Sequence, residues 1–125
     1  MVRNNVYSSY DFLEEYSIYL CSNEIGVAGA EALASYLIQI PEKSVEILRL
    51  SFNRIADEGM KGFADALCVN KSLCQLTLKH NKAKQSGLIS LGEALYNNNT
   101  IQLLTLIGMY AFNIYINIRY PRYTT

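Results

Sequence analysis

Asn23, Asn53 and Asn81 open one repeating pattern: Ile25, Ile55 and Ala83 follow at the same offset, then Gly29, Gly59 and Gly87, then Leu33, Phe63 and Leu91, then Leu37, Leu67 and Leu95. From Asn23 to Asn53 the spacing is 30 residues, and from Asn53 to Asn81 it is 28. Units of this length gain their stability by stacking on their neighbours, and about three are needed for a stable core. A second asparagine recurs at the end of two units, as Asn70 and Asn98, and each is followed by a leucine- or isoleucine-led segment, Leu73-x-x-Leu76-x-Leu78 and Ile101-x-x-Leu104-x-Leu106.

The clearest copy begins Leu48-Arg49-Leu50-Ser51-Phe52-Asn53-Arg54-Ile55. Leu48 and Leu50 alternate with Arg49 and Ser51, the period of a short strand that buries one face, and from Gly59 the apolar residues change to i, i+4, i+8. A strand therefore hands over to a helix, and Asn53 stands at the turn, where its side chain can bond backbone groups that have left the ladder. Asp57 is a candidate N-cap for the helix of this unit, and Gly59 marks the place where the helix start packs near a neighbouring backbone.

This pattern resembles the leucine-rich repeat of the ribonuclease-inhibitor type and covers roughly residues 18–106. Proteins with such repeats include ribonuclease inhibitor, the recognition domains of NACHT-type immune receptors and the GTPase-activating protein of Ran. The resemblance implies an α/β solenoid, a short curved horseshoe with parallel strands on the inside and helices on the outside. It identifies a scaffold whose users differ in function.

Residues 1–16 match no repeat position and are expected to form an N-terminal cap, with Phe12, Leu13 and Tyr16 at helical spacing. The repeats occupy 17–109: Ser17 to Cys21 is the first strand, Val27 to Leu37 the first helix, and Ser86 to Tyr96 the third. A fourth unit starts and stops, because Met109 stands where its asparagine belongs. Residues 110–125 form a non-repeat tail in which Phe112 to Tyr120 alternates like a strand. Three readings of this tail compete: a strand covering the open end, unselected sequence, or a membrane anchor, since residues 101–118 are uncharged and long enough to span. Gln102, Asn113 and Asn117 count against the anchor, as do Leu104 and Leu106, which the repeat already uses.

Eleven basic and eleven acidic side chains leave no net charge, which gives no sign of a nucleic-acid footprint. The N-terminus lacks the apolar core of a signal peptide, so a cytoplasmic chain is the expectation. Cys21, Cys68 and Cys74 are odd in number and fall on repeat positions, which favours reduced thiols. The sequons at Asn70 and Asn98 are accounted for by the turn chemistry of the repeat.

No catalytic constellation is present in the sequence, and no cofactor or metal is implied. His80 is the single histidine, and a strand from Cys74 to His80 would hold the two about 20 Å apart at about 3.3 Å per residue. Glycine-rich phosphate loops, nucleophile elbows and H-E-x-x-H motifs do not occur. Asp57 and Glu58 are adjacent acids at a helix start, where acids are favoured in any case.

Leu20, Leu48, Leu50, Leu76, Leu78, Phe63, Leu67, Leu91 and Leu95 are expected in one continuous core, so a protein partner would meet the residues between the inward leucines. The expected strand face comprises Ser17, Tyr19, Cys21, Ile47, Arg49, Ser51, Gln75, Thr77, Lys79, Leu103, Thr105 and Ile107, with Glu24, Arg54, His80 and Lys82 in the strand-end loops. Tyr19, Arg49, Ser51, Gln75, Thr77 and Lys79 are the candidate partner-binding residues. Tyr19 and Arg49 are the expected anchors, because Tyr and Arg are enriched where binding energy concentrates. The expected function is a protein-interaction module, a fragment or degenerate member of a larger receptor or scaffold, acting without catalysis. The resemblance to the Ran activator implies an alternative, regulation of a small GTPase.

Overall fold

A computed structural model describes residues 16–106. The expectations for an N-terminal cap before Tyr16 and for the tail at 110–125 lie outside the described residues. Four short strands, β1 (Ser17–Tyr19), β2 (Ile47–Arg49), β3 (Gln75–Thr77) and β4 (Leu103–Thr105), form one parallel sheet in sequence order. Between them run α1 (Val27–Gln39), α2 (Ala56–Val69) and α3 (Gln85–Ala94), the last ending in a 3₁₀ turn at Leu95–Asn97. Parallel neighbours need a crossover, and here each crossover is one helix on the same side of the sheet.

The register matches the sequence period. Ile18 pairs with Leu48, Leu48 with Leu76 and Leu76 with Leu104. Leu48, Leu50, Leu76, Leu78, Leu104 and Leu106 are buried, and they meet Leu37, Met60, Phe63, Leu67 and Leu91 from the helices in one continuous core. Leu20 and Leu95, expected in that core, are only partly buried against it. Leu20 immediately follows β1, the first described strand, which has a neighbour on one side only.

Side chains that reach from one repeat to the next hold the turns. Asn53 donates to the carbonyls of Leu50 and Leu20, both at 2.9 Å, and accepts from the amides of Asn23 and Ile25, also at 2.9 Å. Asn81 repeats the arrangement one unit later, donating to Leu50 O at 2.8 Å and accepting from Ile55 N at 3.3 Å. The second asparagine of each unit serves the opposite corner. The Leu37 carbonyl would normally receive the N–H four residues on, but that residue is Pro41, which has none. Asn70 supplies the missing donor at 3.0 Å while accepting from the amides of Ser72 and Leu73. Asn98 does the same for the Leu67 carbonyl at 2.8 Å. Buried and fully engaged, both asparagines are structural parts of the corner.

Asp57 differs from its expected role. The helix it was assigned to begins at Ala56 with Ile55 as its cap residue and no side-chain capping bond. Instead, Asp57 Oδ1 accepts from the amides of Lys84 at 2.7 Å and Gly87 at 3.0 Å, and so caps α3 of the following repeat. Gly87 is required for this approach, since a Cβ there would lie 2.6 Å from Asp57 Oδ1 and 3.0 Å from its Cα. At Gly59 the close neighbours are the side chains of Ile55 and Ala30, so the expected contact with a neighbouring backbone is made at Gly87 and not there.

No helix among the described residues is long and apolar enough to cross a membrane. The first part of the uncharged window at 101–118 contains β4, so a helical span across that whole window is ruled out.

Candidate functional site: the strand face and its rim

Because side chains alternate along a strand, Tyr19, Arg49, Thr77 and Thr105 occupy one rung of the sheet on the face away from the helices. The Arg49 guanidinium carbon lies 5.2 Å from the centre of the Tyr19 ring, a cation–π distance, and Tyr19 is 63% exposed. The sequence-derived anchor pair is therefore assembled by the fold. Gln75 and Lys79 are half-buried on the same face.

Ser51 and Thr77 are not available as proposed contact residues. They are 5% and 6% exposed. Strands stand about 4.8 Å apart, so a short side chain beside a longer neighbour, as Thr77 is beside Arg49, can be covered by it. The Ser51 hydroxyl is also engaged, accepting from the Lys79 amide at 3.2 Å. Ile47 and Thr105 are buried as well, while Ser17 and Cys21, on the first strand and just past it, are exposed.

Beyond the strands the chain turns through a ladder of equivalent positions, Ser22, Phe52 and His80, each just before a repeat asparagine. All three have left-handed backbone, with φ of 61°, 61° and 55°. Glycine would adopt this geometry without penalty, whereas other residues incur about 1–2 kcal/mol. The side chains project outward, and Phe52 stacks on His80 with ring centroids 4.7 Å apart and planes at 17°. Phe52 is 55% exposed. Sequence reasoning missed it because strand alternation carried past Ser51 would turn residue 52 inward. The available signal was repeat alignment, which sets this phenylalanine among a serine and a histidine.

A cation follows each ring two residues on. Arg54 and Lys82 are exposed in the strand-end loops, and the Glu24 carboxylate lies 3.9 Å from the Arg54 guanidinium. Both partners of that pair are largely solvated, so the contact contributes little to stability.

The helix side offers an open groove of about 420 Å³ between α2 and α3, lined by Lys61, Asp65, Cys68, Ser90 and Glu93 among others. Lys61 and Cys68 are two helical turns apart, about 10 Å along the axis, too far for one to activate the other. Cys74 precedes β3 and His80 follows it, so they are separated by the full strand.

A family model described as a leucine-rich repeat matches residues 43–64. The described strand–turn–helix is the unit that this match covers. The fold is a leucine-rich-repeat solenoid. Among solved structures it is similar to leiomodin-1 actin-binding site 2, with a TM-score of 0.69 at 21% identity, covering 74% of this chain and 53% of that one. The chain thus spans about half the length of this relative. No curated protein matches the sequence.

Proposed function

We propose that this chain is a protein-interaction module that binds through its strand face and strand-end rim and acts by binding, without catalysis. The observation that carries the reading is the pair of exposed Tyr19 and half-buried Arg49, set on a rigid parallel sheet beside the Phe52–His80 stack. Rigid aromatic and arginine side chains lose little freedom on binding, and such residues dominate interface energetics. The similarity to leiomodin-1 actin-binding site 2 supports the reading, since that site binds a protein.

We further infer that the repeats are of the ribonuclease-inhibitor type. Strand-to-strand steps of 30, 28 and 28 residues, each carrying a full α-helix on the outer side, support that subtype. Cytoplasmic location with reduced cysteines is part of the same proposal. Among the described residues nothing favours the GTPase-regulating alternative.

Quantitative capture of a partner by variants of the two faces tests the reading. Arg49→Ala combined with Lys79→Ala should weaken capture while leaving the circular dichroism spectrum and melting temperature nearly unchanged. Lys61→Ala combined with Asp65→Ala, on the helix side, should leave capture intact. Equal loss from the helix-side pair would move the interface to the convex face.

A further inference from the structure

Among the described residues, charge is divided between the strand side and the helices. Arg49, Lys79, Arg54 and Lys82 lie on the strand face and its rim, where Glu24 is the opposing acid. The helices carry Glu31, Asp57, Glu58, Asp65 and Glu93, with Lys61 as the opposing base. Such a division orients an approaching charged partner and raises its encounter rate on the complementary side.

We propose that the strand-end rim takes an acidic, extended segment of a partner protein, with an apolar side chain of that segment seated against Phe52. This rests on the strand-face reading above and specifies its partner. The geometry of the cations carries the proposal. The Ser51 hydroxyl accepts from the Lys79 amide, so Lys79 lies one strand across from Ser51 and two residues beyond Arg49. At about 4.8 Å between strands and about 3.3 Å per residue, the Cα atoms of Arg49 and Lys79 are about 8 Å apart on one face. Alternate side chains of an extended segment lie about 7 Å apart. Two carboxylates separated by one residue therefore fit the two cations. The ring of Phe52, half exposed and backed by His80, is an apolar platform next to Lys79, whose carbonyl accepts from the Phe52 amide at 2.8 Å. An acidic segment with one apolar residue matches charge and platform together.

A nucleic acid is the less suitable occupant. It would need a cationic track several phosphates long and repeated stacking surfaces, whereas the described rim has one stacked pair and the helices behind it are acidic.

Fluorescence anisotropy with labelled probes tests the proposal on the full chain. The probes are a peptide Gly-Ser-Glu-Leu-Glu-Phe-Glu-Ser-Gly, its counterpart with lysine for every glutamate, and a short oligouridine. The acidic peptide should bind about tenfold or more tightly than either of the others, with affinity falling as salt rises. Arg49→Glu with Lys79→Glu should weaken that binding about tenfold or more, and Phe52→Ser severalfold. Serine suits this left-handed position, as Ser22 shows one repeat earlier, so Phe52→Ser tests the platform without disturbing the turn. Lys61→Glu makes the same charge change on the helix side and should leave affinity within about twofold. Circular dichroism on every variant verifies folding.

Equal binding of the two peptides, tighter binding of oligouridine, or indifference to the Arg49 and Lys79 reversals would overturn the proposal. If the acidic peptide fails while Arg49→Ala with Lys79→Ala still weakens partner capture, the acidic-segment assignment falls and the strand-face reading stands. If neither responds, both fall.

Discussion

Replacing Asn70 with alanine removes four hydrogen bonds at a buried corner, one of them donated to the Ser44 hydroxyl at 3.3 Å, and leaves the Leu37 carbonyl and the amides of Ser72 and Leu73 without partners. The site is closed to water, since Asn70 is 1% exposed and Leu73 is fully buried. Pro41 cannot replace the donor to Leu37, because it has no N–H. A neutral hydrogen bond contributes about 1 kcal/mol net, and each polar group left buried and unsatisfied costs about 1–3 kcal/mol. Asn70→Ala should therefore cost about 3–5 kcal/mol, a large share of the roughly 5–15 kcal/mol that stabilises a domain. At about 4–8 °C per kcal/mol, the melting temperature should fall by at least about 12 °C. Asn70→Asp refines the argument. The carboxylate can still accept from Ser72 and Leu73, but it loses the donor to Leu37 and places negative charge at a helix C-terminus, where it is unfavourable. Its loss should be clear but smaller than that of alanine. Urea denaturation followed by circular dichroism measures both, with Lys71→Ala as an exposed neighbour expected to stay within about 0.5 kcal/mol. A cost below about 1 kcal/mol for Asn70→Ala, at unchanged m-value, would refute the corner-bonding account.

Asp57→Ala should cost about 1 kcal/mol, as for other lost caps, and the accompanying rise in amide exchange should appear at Lys84 and Gly87, at the start of α3, not at the start of α2. Gly87→Ala should be more damaging than Gly92→Ala, because an added Cβ meets Asp57 at Gly87 and nothing within 4 Å at Gly92; equal melting temperatures would contradict the close approach. Leu50→Ala should cost about 2–5 kcal/mol in denaturation experiments, and a cost under about 1 kcal/mol would be inconsistent with its place in the core.

Strand order, helix placement and most of the core were legible in the sequence, because they follow from two periodicities and one repeat length. Leu48, Leu76 and Leu104 align in the sequence pattern and pair in the sheet. The structure departs from that reading where contacts cross repeats. Asp57 reads locally as a cap for its own helix, yet the amides it bonds are 27 and 30 residues away. Alternation correctly put Ser51 and Thr77 on the strand face but carries no information on depth, which depends on the length of side chains in adjacent strands. Arg49 reaches past its neighbours and Thr77 does not. Phe52 was hidden because a left-handed turn residue reverses the side that strand alternation assigns.

The account makes the strand face, and not the helix face, the surface that touches a partner. Site-specific photo-cross-linking compares them directly, with a benzoylphenylalanine placed at position 19 or at position 89 in the full chain. Tyr19 and Ile89 are both more than half exposed, so either position accepts the probe without entering the core. The account predicts partner adducts from position 19 and only background from position 89. Adducts from position 89 with none from position 19 would contradict it.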